Sequence, residues 1–147
     1  MTEPTRRLLS SLGLLVLRLG FGGFLAFGHG WQKLSNFGAM SLKFSDPIGI
    51  GHTGSLVLAV FGEFFCSLAI LFGFATRLAA IPPLITMLVA AFLIHTDDPW
   101  AKQEHALLFA IPFVALIFTG AGSISLDAVI GRWWQKRRQP QPGRKVG

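Results

Sequence analysis

The sequence predicts an all-α integral membrane protein: a four-helix bundle with both termini in the cytoplasm and a short amphipathic interfacial helix near the C-terminus. Three observations predict it. Hydrophobic residues make up 52% of the 147 residues and charged ones only 14%. Four apolar stretches each approach the roughly 20 residues needed to cross about 30 Å of hydrocarbon. Most basic residues lie outside those stretches, mainly at the two ends of the chain and on one side of the membrane. A soluble domain of this size cannot bury so much apolar surface, since exposed patches on soluble monomers rarely exceed a few hundred Å². Fourteen Phe and no Tyr fit aromatics that meet hydrocarbon.

The first span is expected at about Leu8–Gly30, the second at Ser55–Phe74, the third at Leu78–Ile94 and the fourth at Glu104–Gly120. Thr5-Arg6-Arg7-Leu8-Leu9 resembles the start of a twin-arginine signal. Arg18 interrupts the apolar region, however, and no small-residue cleavage site follows, so the stretch reads as a retained span. Pro82 and Pro83 fall in the first turn of the third span, where a missing N–H costs little. Pro112 falls inside the fourth span, where it is expected to kink the helix. The first outer loop, about Trp31–Thr53, carries Asp46-Pro47 and several glycines and is expected to form an ordered flap. Ser125–Lys136 reads as an amphipathic helix with Ser125 as its cap. Leu126, Val129, Ile130 and Trp133 share one face, and Trp133 and Trp134 suit the headgroup zone. Residues 139–147 form a basic, Pro- and Gly-rich tail with a disordered composition.

Orientation follows from Lys and Arg. With the N-terminus inside, the inner segments hold Arg6, Arg7, Arg77, Arg132, Lys136, Arg137, Arg138, Arg144 and Lys145. The outer loops hold only Lys33, Lys43 and Lys102. The same distribution argues against a nucleic-acid surface, although the net charge is +6. The single Cys66 excludes an intrachain disulfide or thiolate cluster and reads as a small buried hydrophobe. No nucleotide-binding or flavin motif, GxSxG, HExxH or internal repeat is present.

Charges inside a membrane are costly and need partners. Arg18 lies about ten residues into the first span and Glu63 about eight into the second, so at 1.5 Å per residue both fall near the midplane. The expectation is an antiparallel Arg18–Glu63 pair, direct or through a ligand, serving either helix register or a substrate. Gly22, Ala26 and Gly30 recur every four residues and allow close helix approach. Arg18, Gly22, Leu25, His29 and Lys33 form one helical stripe. All four histidines (His29, His52, His95 and His105) fall at outer ends of spans, near Asp97, Asp98 and Glu104. This is either an interfacial polar collar or a site for a metal, a quinone headgroup or another small polar ligand. Two histidines at matched depth on different helices can ligate haem, but no metal-site spacing is present and no metal is expected.

With these residues identified, the chain resembles the DoxX family of small bacterial membrane proteins over about Leu15–Asp127. The matching fragments are Arg18-Leu19-Gly20, Gly30-Trp31-Gln32-Lys33, Gly62-Glu63, Gly73-Phe74-Ala75-Thr76-Arg77, Thr119-Gly120-Ala121-Gly122-Ser123 and Ser125-Leu126-Asp127, in that order. The resemblance implies a compact four-helix bundle in the bacterial inner membrane, usually labelled an oxidoreductase. It also implies kinship with a subunit of thiosulfate:quinone oxidoreductase and a link to thiol and oxidative-stress defence. Arg18, Lys33, Glu63, Arg77 and Asp127 are the family positions, with Arg77 and Asp127 expected to be structural. The expected function is a membrane subunit of a redox system that binds a quinone or other small redox ligand, with Arg18, His29, Lys33, Glu63 and His105 as candidates. The candidate partners besides lipid are a redox protein and a second copy of the chain; a thiol relay needs such a partner, because this chain has one cysteine. The alternative is a non-enzymatic scaffold or small-molecule permease.

The charge distribution sets a topology test. Reporter fusions at Gly147 and after Arg77 report the cytoplasm, and fusions near Asp46 and Asp98 report the outer side. A C-terminus on the outer side contradicts the orientation.

Overall fold

Four apolar helices long enough to cross a membrane account for most of the chain: α1 (Glu3–Ser35), α2 (His52–Phe72), α3 (Thr76–Ile94) and α4 (Trp100–Thr119). A fifth helix, α5 (Leu126–Arg138), follows. This computed structural model describes residues 2–138. No strand occurs among the described residues. The tail expected at 139–147 lies outside them.

Helix α1 is longer than the apolar run suggests. It continues past Gly30 through Trp31–Ser35, and a further helical turn follows at Phe37–Met40. The reason is local: the chain leaves helical geometry only at Asn36, with φ −105° and ψ 20°. Much of what was expected to be outer loop is therefore helix.

Successive helices run antiparallel, and small residues set their contacts. Gly22 faces the backbone of Ser67 and Leu71, and Gly30 faces that of Glu63 and Phe64. Gly62 faces Pro82 and Thr86 across the α2–α3 contact. Helix α4 closes the bundle against α3 and α1; Phe21 meets Phe109 edge-on at 5.6 Å. At the other end of that contact, Ser123 donates through its N–H and hydroxyl to Ser11 Oγ at 3.1 and 2.7 Å. The core is Leu25, Ile70, Ala80, Met87, Ala110, Phe113 and Leu116. Phe24, Phe27, Phe61, Phe65, Phe92 and Phe118 point outward. An outward phenylalanine belt suits hydrocarbon as solvent, while the helices satisfy their own backbone.

Three of the four long helices contain π-helical turns: Arg18–Gly22 and Phe24–Gly30 in α1, Phe61–Cys66 in α2, and Ala90–Ile94 in α3. Such turns rotate the following residues off the ideal helical stripe and are frequent at functional sites. Arg18, His29 and Glu63 all lie in them. A turn at Ala80 divides α3, and Pro82 and Pro83 sit in the first turn of the segment that resumes at Ile81; Pro112 lies within α4, which runs unbroken to Thr119.

The turn between α2 and α3 uses positive φ at Gly73 (71°) and at Ala75 (45°). The Asp127 carboxylate holds it, accepting the N–H groups of Ala75 and Thr76 at 2.7 and 3.0 Å. An acceptor at a helix N-terminus satisfies orphan donors and complements the dipole there. Ser125 caps α5 as expected, accepting the Ala128 N–H at 3.1 Å.

The α1–α2 contact gives a direct test. A Cβ on Gly30 lies 2.7 Å from the Glu63 backbone, whereas one on Gly28 meets nothing within 4 Å. Gly30→Ala is expected to destabilise the bundle by about 1–3 kcal/mol. Gly28→Ala is expected to be neutral or stabilising by up to about 1 kcal/mol. Thermal unfolding in detergent measures both.

Candidate functional site

Glu63 lies near the middle of α2 with its side chain 5% exposed. A carboxylate there needs a cation, and Lys33 supplies it: Nζ lies 2.5 Å from Oε2, with the lysine side chain 18% exposed. Gly30 makes this possible. Without a side chain it lets α1 lie on the Glu63 backbone, and Lys33, one turn further on, reaches across.

The expected direct Arg18–Glu63 pair is therefore incorrect. Arg18 is 1% exposed and lies at the other end of the α1–α2 contact, against Gly73. Ten residues of α2 separate Gly73 from Glu63, about 15 Å along the axis. The depth estimate failed because it started both spans at the edges of their apolar runs. The first two turns and more of α1 extend beyond the end of α2. One Arg18 Nη donates to the Ile124 carbonyl, while Nε and the other Nη have no partner among the described residues. Arg18 thus braces the α4–α5 connection against α1 and α2.

A cavity of about 320 Å³ opens beside the Lys33–Glu63 pair. His29 and Lys33 line it from α1, and Ser55, Ala59 and Glu63 from α2. Helix α3 contributes Thr86, Met87 and Ala90, and α4 contributes His105, Ala106 and Phe109. Its volume lies at the small end of ligand pockets, and its lining, mainly apolar with a few convergent polar groups, is the usual pattern. The rings of His29 and His105 lie 5.9 Å apart, and both pack on Phe109, at 5.8 and 5.2 Å. Among the described residues, no group of three or more His, Cys, Asp or Glu can hold a metal ion.

The flap Ser41–Gly51 forms one wall of this cavity, contributing Phe44, Ser45, Pro47 and Ile48. Asp46 holds it closed on the start of α2, accepting the Ser55 hydroxyl at 2.7 Å and the N–H groups of Gly51 and Ile50 at 2.7 and 3.0 Å. The Ser55 hydroxyl, followed by these backbone donors, holds the Asp46 carboxyl below the usual carboxylate range. His52, the first residue of α2, holds the flap: its Nδ1–H donates to the Phe44 carbonyl at 2.6 Å. His95 lines the cavity and donates from Nδ1 to Asp98 at 2.7 Å, while Lys102 binds the other Asp98 oxygen at 2.9 Å. His95 and then Lys102 lower the Asp98 pKa.

The structure thus brings His29, Lys33, Glu63 and His105 together and sets Arg18, Arg77 and Asp127 at the opposite end. Ser55, Thr86 and Phe109 were missed as lining residues. For Thr86 a signal existed: it is a lone hydroxyl in an apolar run.

This is a multi-pass helical membrane protein with a partly polar cavity between its helices. A family model for DoxX matches residues 13–96. The chain is 31% identical over 132 residues to the inner membrane protein YqjF of Escherichia coli, covering 86% of this chain and 98% of that protein. It is 27% identical over 128 residues to an uncharacterized protein of Haemophilus influenzae, covering 82% and 85%. No solved structure matches it significantly. The chain belongs to the DoxX family and is an inner membrane protein.

The pairing seen here sets a double-mutant cycle. Lys33→Gln or Glu63→Gln alone is expected to cost about 3–5 kcal/mol, because each leaves an uncompensated buried charge. The double variant is expected to recover part of that loss, while Arg18→Gln and Glu63→Gln are expected to add without coupling. Unfolding in detergent reads the coupling, and an Arg18–Glu63 coupling larger than the Lys33–Glu63 one contradicts the site.

Proposed function

We propose that this DoxX protein is the membrane subunit of a redox system and holds a quinone-class ligand in the cavity between its helices. One observation carries the reading: a cavity of about 320 Å³ in the bundle, apolar in most of its lining, has His29, His105 and the Lys33–Glu63 pair at its wall. A quinone headgroup is a flat ring with two carbonyl acceptors, so it needs an apolar slot and donors. Met87, Ala90 and Phe109 supply the first, and Lys33 and the imidazoles supply the second. When bound, such a group supplies two-electron, two-proton redox chemistry.

The chain's own residues suit three tasks. Lys33 Nζ and an imidazole N–H orient acceptor oxygens. The Asp46-held flap keeps water from the outer face. The imidazoles of His29 and His105, side chains of a type that shuttles protons, stand at the cavity wall within reach of a bound ring. The electron donor is assigned to a partner protein, since this chain has a single cysteine, buried at Cys66.

Binding is the test. Purified protein is expected to bind a short-chain ubiquinone, and His105→Ala and Lys33→Gln are each expected to raise Kd by about tenfold or more. A cavity-distant control, Arg77→Gln, is expected to leave Kd unchanged. Absence of binding, or equal Kd values in all variants, overturns the assignment and favours a scaffold or permease role for the bundle.

A further inference from the structure

Helix α5 buries none of its residues against the bundle. Its root is nevertheless fixed. The Asp127 N–H donates to the Gly73 carbonyl at 2.9 Å, and the Asp127 carboxylate caps Ala75 and Thr76. Gly73–Thr76 is the turn where α2 ends and α3 begins, so α5 starts at the depth where two spans end. A helix tied there has the membrane surface as its nearest neighbour.

Its composition matches that surface. At the helical period, Leu126, Val129, Ile130 and Trp133 form one apolar stripe with Trp134 at its edge. All five are 40–53% exposed. Cations flank the stripe on both sides: Arg132 and Lys136 next to Val129, and Arg138 next to Trp134. Arg137 stacks on Trp133, its guanidinium carbon 3.6 Å from the ring centroid. Asp127 is the helix's one acid, and its carboxylate is used in the cap. The remaining polar face carries positive charge that no acid among the described residues pairs with.

We propose that α5 is a lipid-docking helix that lies on the leaflet at the α2–α3 turn and selects anionic phospholipid headgroups. The apolar stripe enters the boundary of the acyl chains, the indoles sit among headgroups, and the flanking cations meet phosphates. Charge complementarity is the selective element, because a zwitterionic headgroup offers these cations no net negative charge. Docking also fixes Asp127, and through it the α2–α3 turn.

The sequence contains four tryptophans, at 31, 100, 133 and 134. Full-length protein carrying W31F and W100F therefore reports on α5 alone. It is reconstituted into phosphatidylcholine vesicles with brominated acyl chains, with or without phosphatidylglycerol. Bromine quenching of Trp133 and Trp134 is expected to be about twofold stronger with phosphatidylglycerol. That gain is expected to vanish in high salt and in the R132Q/K136Q/R138Q variant, while circular dichroism shows the bundle intact. Quenching that is absent, or equal in both lipids, overturns the proposal. Quenching that follows protein density rather than lipid charge also overturns it and assigns the stripe to a second copy of the chain.

Discussion

A carboxylate near the middle of a membrane helix is the constraint around which this bundle is arranged. Removing an ion from water costs several kcal/mol even after a protein relaxes around it. Glu63 therefore needs a cation within contact distance, and α1 supplies it in Lys33. That requirement is met because α1 does not stop at Gly30 and because Gly30 lacks a side chain. With Gly30 seated on the α2 backbone, Lys33 is delivered to Glu63 and His29 is turned toward His105 and Phe109 on α4. The cavity forms between these two consequences, at a place where four helices cannot pack fully around a charged pair.

The π-helical turns belong to the same compromise. A regular α1 keeps one stripe facing the bundle. A π turn spreads the inward residues over a wider arc, so Arg18, Leu25, Ala26 and Gly30 are all buried although they do not share one ideal stripe. The matching turn in α2 carries Gly62, Glu63 and Cys66 inward. Wide turns are a reasonable cost where a helix must present a polar group to a cavity and a smooth face to lipid.

Much of this fold was legible because membrane helices announce themselves locally. Four apolar runs, Pro82–Pro83 at a helix start and the Ser125 cap depend on composition and near neighbours, and the structure shows each. The site was legible in residue type but not in pairing. Arg18 and Glu63 looked matched because both were counted from the edges of apolar runs, which assumes that the runs begin at equal depths. Helix α1 begins well beyond the end of α2 and continues past its own apolar run, so that count slid by several turns. The signal that would have corrected it was present: no residue from Trp31 to Ser35 stops a helix. The clasp formed by Asp46 and the tertiary cap formed by Asp127 were illegible for a different reason. Asp46 reaches only four to nine positions on, but through irregular loop geometry that no periodic pattern announces, and Asp127 acts across about fifty positions on two distant N–H groups.

The central claim is that Lys33, not Arg18, neutralises Glu63 within the bilayer. Solid-state NMR of protein in lipid bilayers tests it most directly, with nitrogen labels on lysine and arginine side chains and carbon labels on glutamate. The structure places Lys33 Nζ 2.5 Å from a Glu63 oxygen. It therefore predicts a strong dipolar coupling between Lys33 Nζ and Glu63 Cδ, and none from the Arg18 guanidinium. A Glu63 carboxylate coupled to Arg18, or to neither cation, contradicts the account.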